Sequence, residues 1–314
     1  VSLRNVGTGF RTQFTVVCVA ALVWLIGARN LIATQLPTIG RLMPIDSWWA
    51  NWHHFFASWS PNGVGTGVPA MPGYAFLAAA GTFVGGRMGI LPRVVMLLAV
   101  PIGAYGVGRL FRDVLSNRAR LFAALSFLAL PVGVNLVQQG RIDLLVPFAG
   151  FPFLLRRILA LLDVPKFRAF PYEEPRDFGS RLWGRTRAGQ LAKAVMMTAV
   201  MTAFAPVTLI LVLLTVVGLS IAQRCGAIPT LERPWRTVGQ LLLGVATLLL
   251  PMACDVVLAG RRGIEIFGLP LASWSNIDFS HAIRVADGVF GQGPLSWLIP
   301  IAAVAPLALS RGDR

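Results

Sequence analysis

The chain has 314 residues, of which 55% are apolar and only 13% charged, with a mean hydropathy of +0.68. A soluble domain carries about a quarter charged residues, so this composition excludes an ordinary water-soluble enzyme and points to lipid as the solvent. The formal net charge of +15 is clustered between apolar runs, as expected of residues meeting anionic headgroups at the cytoplasmic surface, and does not call for nucleic acid as a partner.

In chain order, the first apolar span covers residues 13–32, preceded by Arg4 and Arg11. It lacks a small-residue cleavage site followed by a polar mature domain, and reads as a retained span. A polar, aromatic and Gly/Pro-rich loop, 33–69, follows. Short, small-residue-rich 70–85 is the second span; 90–110, with Pro101 as a source of a kink, is the third; 119–137 and 142–162 are the fourth and fifth. A basic loop, 163–188, carries Lys166, Arg168, Arg176, Arg181, Arg185 and Arg187 among Glu173, Glu174 and Asp177. Residues 189–223 are too long an apolar run for one crossing at about 1.5 Å per residue, so they divide into two helices meeting at Ala205–Pro206. The eighth span is 235–258, a second polar loop occupies 259–293, and 294–309 is a short final span.

The expected fold is therefore all-α: a polytopic transmembrane helical bundle of about eight or nine apolar segments forming one membrane domain over 1–314. The absence of an initial Met and the apolar run close to Arg314 fit a piece of a longer protein. Orientation meets a conflict. The basic stretches 109–120 and 156–193 belong on the cytoplasmic side. Simple alternation then puts 33–69 there too, although Arg41 is its only basic residue. Either a segment between Ala70 and Leu110 is re-entrant or the count of crossings differs.

Cys18, Cys225 and Cys254 form no C-x-x-C pair and lie in or beside apolar runs. They suggest neither a disulfide framework nor a zinc site, and read as small buried hydrophobes.

Chemistry concentrates in the first loop. Asp46 stands before Trp48, Trp49, Trp52, Phe55, Phe56 and Trp59, which recur at helical spacing and form one apolar face, with Asn51, His54 and Ser58 on the other. This is a helix for the membrane interface, where indole rings are favoured. Asp46 fits two roles: N-cap of that helix, or general base toward a sugar hydroxyl. The adjacent His53 and His54 diverge by about 100° on a helix and make an awkward metal pair, so no metal and no cofactor is expected. The Gly/Pro-rich stretch after Trp59, including Asn62, reads as an irregular loop. Arg141 and Asp143 sit between two apolar runs, where charges must pair, snorkel or face a polar cavity. They form either a solvated turn or a phosphate-holding site. Asp255 is an acidic residue near the end of the eighth span, open to a functional or an interfacial reading.

Four stretches taken in order carry a family likeness: Trp59-Ser60-Pro61-Asn62-Gly63-Val64-Gly65 with Pro69 and Pro72; Arg118-Ala119-Arg120-Leu121-Phe122 running to Leu130-Pro131; Gly140-Arg141-Ile142-Asp143; and Ala203-Phe204-Ala205-Pro206. The chain resembles the multi-spanning region of actinobacterial envelope glycosyltransferases. These include GT-C-type arabinofuranosyltransferases and proteins in which a family 2 glycosyltransferase domain precedes a membrane half. The resemblance implies a GT-C-like fold in the cytoplasmic membrane, a polyprenyl-phosphate-linked sugar as donor, a cell-envelope glycan as acceptor, and envelope-biosynthesis proteins as partners. It implies Asp46, the only carboxylate of 33–69, as base. Arg141 and Asp143 would then act at the donor phosphate, and Trp52, His54, Trp59 and Asn62 at sugar or lipid. Two departures stand beside it: Asp46 is followed by Ser47 where many such loops carry a second acid, and no family 2 domain is present. The competing reading is a non-catalytic scaffold or a transporter for lipid-linked saccharide. The near absence of charge at mid-span counts against an ion-coupled carrier.

Overall fold

The computed structural model describes residues 47–56, 72–86, 88–112, 114–164, 186–225 and 234–258, together with Leu22, Trp24 and Ile26. All nine elements in this part are helices: α1 Trp48–Phe56, α2 Gly73–Phe83, α3 Leu91–Leu110, α4 Asn117–Leu128, α5 Pro131–Gln138, α6 Ile142–Leu161, α7 Arg187–Phe204, α8 Val207–Arg224 and α9 Pro234–Leu258.

Five stretches are long and apolar enough to cross a membrane: Leu91–Leu110, Arg118–Val137, Ile142–Leu161, Val207–Arg224 and Pro234–Cys254. This is a multi-pass membrane protein. Arg118–Val137 is a single passage built from α4 and α5. Leu130 is extended before Pro131, because the proline ring disfavours helical backbone in the residue preceding it. The fourth span of the sequence is thus two helices. The eighteen-residue α7 is less apolar, with Arg187, Gln190 and Lys193 in its first two turns, yet it packs against α6 and α9 in the middle of the bundle. Ala205–Pro206 separates α7 from α8 as the sequence predicts, with Ala205 extended.

Side-chain neighbours fix the direction of the described passages. A Cβ on Gly103 would lie 3.2 Å from Ala149 Cα, one on Gly106 would meet Phe153, and an Arg156 guanidinium N–H donates to the Arg109 carbonyl. α3 and α6 therefore run parallel, offset by 46 or 47 positions, and the small residues on α3 let the two helices approach closely. Arg120 Nε donates to the Gly108 carbonyl at 3.2 Å and Phe127 reaches Gly103, so α4–α5 returns antiparallel between them. Arg157 bonds Gln190 at 3.2 Å while Gly150 faces Met201, which makes α7 antiparallel to α6. Arg187 bonds Thr237 at 3.4 Å and Gly244 faces Val195, so α9 runs parallel to α7, and α8 connects them in the opposite sense.

Two buried clusters hold these passages together. One joins Met96, Val100, Leu136, Leu145 and Ala149 of α3, α5 and α6. The other joins Leu154, Ile158, Ala194, Val195, Val212, Val216, Leu241 and Val245 of α6, α7, α8 and α9. Outside them, α8 shows Ile210, Leu214 and Ile221 on one exposed stripe, opposite buried Thr208, Val212 and Val216, the pattern of a lipid-facing helix.

Where a second span is expected over 70–85, the described helix is shorter than a crossing. α2 has eleven residues, about 16 Å of helix against a hydrocarbon core of about 30 Å. Gly85 and Gly86 both take positive φ and close its C-terminus: Gly86 N–H bonds the Gly81 carbonyl and Gly85 N–H that of Thr82, the double bond of a Schellman cap. Both ends of α2 lie at one end of the bundle, since Gly73 abuts Phe204 at the close of α7 and the chain enters α3 soon after Gly86.

Of the cysteines, Cys225 ends α8 and Cys254 lies on α9, and both are exposed. The expectation of buried hydrophobes is corrected for these two: Cys225 lies past the last helical turn, and Cys254 is on the outward face of a helix whose other side makes the core contacts. Cys18 lies outside the described residues, as do the loops 163–188 and 259–293 and the final span, except for 163–164 and 186–188.

Candidate functional site

The passages sort charge into two ends. One carries Arg109, Arg112, Arg118, Arg120, Arg156, Arg157, Arg187, Arg224 and Arg236, all at helix termini or in the adjoining turns. The far end holds the start of α3 with Arg93, the α5–α6 turn with Arg141 and Asp143, the α7–α8 break, and α2 with the helix α1 that packs on it. The last turn of α9, with Asp255, ends there as well. Through its packing on α2, α1 shares one end with the Arg141 turn, away from the basic residues.

α1 is started by Ser47, whose Oγ accepts from Ala50 N–H at 3.2 Å. Ser47 thus makes a capping bond next to Asp46, which itself lies outside the described residues. The described aromatic residues fall within about 120° of the helix, one face as the spacing predicts, and burial varies across it. Trp48, Trp52 and Phe55 are half-buried, whereas Trp49 and Phe56 are 65% and 76% exposed. Trp48 covers the α2–α3 turn, where a Cβ on Gly86 would lie 2.7 Å from its Cδ1. Trp52 stacks on Phe56 with centroids 5.8 Å apart and meets Phe55 edge-on at 6.3 Å. One edge of this aromatic face therefore anchors to α2, and its other edge presents rings outward, as interfacial helices do.

The α5–α6 turn is closed by Gly140 at φ +66°, with Arg141 N–H bonding the Leu136 carbonyl and Gly140 N–H that of Val137. This second Schellman cap reverses the chain so tightly that Arg141 becomes the N-cap of α6, with Asp143 in the first turn. A carboxylate there complements the helix dipole. The two side chains form a forked ion pair, Arg141 Nη2 to Asp143 Oδ2 at 2.7 Å and Nε to Oδ1 at 3.4 Å, with both partly exposed. The fork that would grip a phosphate is thus turned onto Asp143.

Arg93 is the residue the sequence reading missed. It lies in the first turn of α3, and the α3–α6 offset puts it level with the 139–141 turn. Its Nε is buried without a hydrogen-bond partner, which costs about 1–3 kcal/mol. The signal available was a lone arginine at the head of an apolar run, opposite in position to the basic loops. Of the other sequence candidates, Asp46, Trp59 and Asn62 lie outside the described residues. His54 belongs to α1, but its side chain is not among those described, and the same holds for Asp255 in α9. Trp52 and the Arg141–Asp143 pair lie at the same end of the bundle. Among the described residues no three of His, Cys, Asp and Glu gather as metal ligands.

No protein-family model matches the chain, and comparison with characterised proteins and with solved structures finds no significant match either.

Proposed function

We propose that this chain is the membrane-embedded part of a glycosyltransferase that takes a sugar from a polyprenyl-phosphate donor, on the outer side of the cytoplasmic membrane, and transfers it to a cell-envelope glycan. One observation supports the reading: the eleven-residue α2 is too short to cross, and α1 packed on it shares with the Arg93 and Arg141 positions the end opposite the basic residues. Since basic ends stay cytoplasmic, that end is the outer one, where such a donor presents its sugar. The four sequence stretches that resemble envelope glycosyltransferases are the second support.

In this mechanism Asp46 removes the proton from the acceptor hydroxyl as that oxygen attacks the anomeric carbon. The bond from that carbon to the phosphate oxygen breaks, and polyprenyl phosphate leaves with the electron pair. Arg93 is the better holder of that phosphate: its buried, unbonded Nε gains a charge-assisted partner, whereas Arg141 is engaged by Asp143. Trp49 and Phe56 offer exposed ring faces to sugar or lipid.

A second reading, a non-catalytic scaffold for lipid-linked saccharide, draws on the same closed Arg141–Asp143 fork. Sugar transfer in isolated membranes separates the two. Asp46→Asn is expected to lower transfer by at least about 100-fold, the scale of a lost general base, with unchanged insertion. Transfer at the wild-type rate would remove Asp46 from the mechanism.

A further inference from the structure

Phe83 ends α2 and is 92% exposed, more than any other large apolar side chain among the described residues. Val84 beside it and Ile90 at the head of α3 are exposed as well. Trp48 covers this turn. A Cβ on Gly81 would lie 3.4 Å from Trp48 Cβ, and one on Gly86 would meet the indole ring. Trp49 meets Trp48 edge-on, with centroids 5.6 Å apart, and is itself exposed, as is Phe56. The exposed rings of α1 and the exposed turn after α2 are thus joined through one half-buried indole.

Three observations choose the solvent of this surface. The first is charge. From Ser47 to Gly86 the sequence has no acidic residue, lysine or arginine, and the run ends only at Arg87. Stretches that face water, and the rims of interfaces with soluble partners, carry charged and polar side chains. The second is level. The turn leads directly into α3, which is long and apolar enough to cross a membrane. It therefore lies near the edge of the hydrocarbon layer, where indole rings are favoured. The third is continuity. Ile90, Val94, Leu98, Ile102 and Tyr105 are all exposed and recur every three or four residues, which makes one face of α3 a lipid-facing stripe. Ile90 joins that stripe to the turn.

We propose that Trp49, Phe56, Phe83 and Val84 form an apolar wedge seated in the leaflet at this end of the bundle, with the boundary between phospholipid headgroups and acyl chains as its partner. α1 and the α2–α3 turn then lie in the membrane surface and do not project into water. The insertion is shallow: His53, one turn after Trp49 and also exposed, stays at headgroup level, as the polar side of an interfacial helix does. The wedge goes beyond the glycosyltransferase reading, because it concerns the solvent of this end and holds whether or not the chain transfers sugar.

Spin labelling of the full chain in liposomes of phosphatidylglycerol and phosphatidylcholine tests this. Cys18, Cys225 and Cys254 are replaced, and a nitroxide is attached in turn at Phe83→Cys, Phe56→Cys and Leu98→Cys. Collision is measured with oxygen, which concentrates among acyl chains, and with a water-soluble nickel chelate. The labels at Phe83→Cys and Phe56→Cys are expected to favour oxygen, by a smaller margin than Leu98→Cys nearer the middle of α3. Preference for the nickel chelate at either position would overturn the proposal, since that side chain would then face water. Shielding from both reagents at either position would also overturn it, with protein, such as a second copy of the chain, covering the surface in place of lipid. Phe56 stacks on Trp52, whereas Phe83 is almost fully exposed, so the Phe83→Cys label decides the matter if the Phe56 variant folds poorly.

Discussion

Trp24 donates its indole N–H to the carbonyl of Leu97 at 2.9 Å, and Leu97 is the residue four before Pro101 in α3. A proline has no N–H to return to that carbonyl. In lipid, an orphaned carbonyl has no water to turn to. The first apolar run therefore supplies, through one side chain, the bond that Pro101 removes, and Trp24 also packs on the cluster of Met96, Val100 and Leu145.

This pairing predicts a non-additive result. Trp24→Phe keeps most of the packing and is expected to cost about 1 kcal/mol of stability. In a Pro101→Ala background the backbone regains an N–H at that position, which can bond the Leu97 carbonyl, and the cost of Trp24→Phe should shrink by more than half. A thermal-unfolding double-mutant cycle in detergent reads this directly. Equal costs in the two backgrounds would mean that the indole bond does not compensate for the proline.

The close approach of α3 and α6 makes a second prediction. A Cβ on Gly103 meets the Phe127 ring, which can turn, and Ala149 Cα, which cannot move without its helix. Gly103→Leu is expected to destabilise by about 1–3 kcal/mol. Gly108→Ala in the same helix faces open space and should be neutral or slightly stabilising. Both are measured by thermal unfolding.

Gly140→Ala forces a side chain onto φ +66° and is expected to cost about 1 kcal/mol. Its effect should centre on the α5–α6 turn, so amide exchange would rise first around Arg141 and Ile142. Uniform loss of protection along α6 would instead show that the turn and the helix open as one unit.

Cys225 reports orientation without an added residue. It is exposed at the end of α8 beside Arg224, at the basic end. In a chain retaining only this cysteine, a membrane-impermeant thiol reagent should label permeabilised cells and leave intact cells unlabelled.

The passages most legible in the sequence were those bounded by their own chemistry. α3, α6 and α9 start and stop where apolar runs meet charge or proline, and the Ala205–Pro206 break follows from a run too long to cross once. Less legible were features decided by glycine geometry or by distant contacts. The apolar content of 70–85 suggests a span, but two consecutive left-handed glycines end α2 after eleven residues. Leu130–Pro131 divides the fourth passage inside an otherwise continuous apolar run. The parallel pairing of α3 with α6 depends on Gly103, Gly106, Ala149 and Phe153 meeting across more than forty positions, which periodicity within either helix does not encode. For the candidate site, the aromatic helix was visible as spacing. The closed Arg141–Asp143 fork and the unbonded Arg93 Nε needed the fold.

The central claim is that the first loop lies on the side opposite the basic end. The most direct test replaces Cys18, Cys225 and Cys254, introduces Ser60→Cys, and treats intact cells with a membrane-impermeant thiol reagent. Labelling of intact cells is the predicted result and would put the aromatic helix and Asp46 outside, as the mechanism requires. Labelling only after permeabilisation would put the loop in the cytoplasm, contradict the non-crossing α2 as the basis of the topology, and end the case for Asp46 as the base.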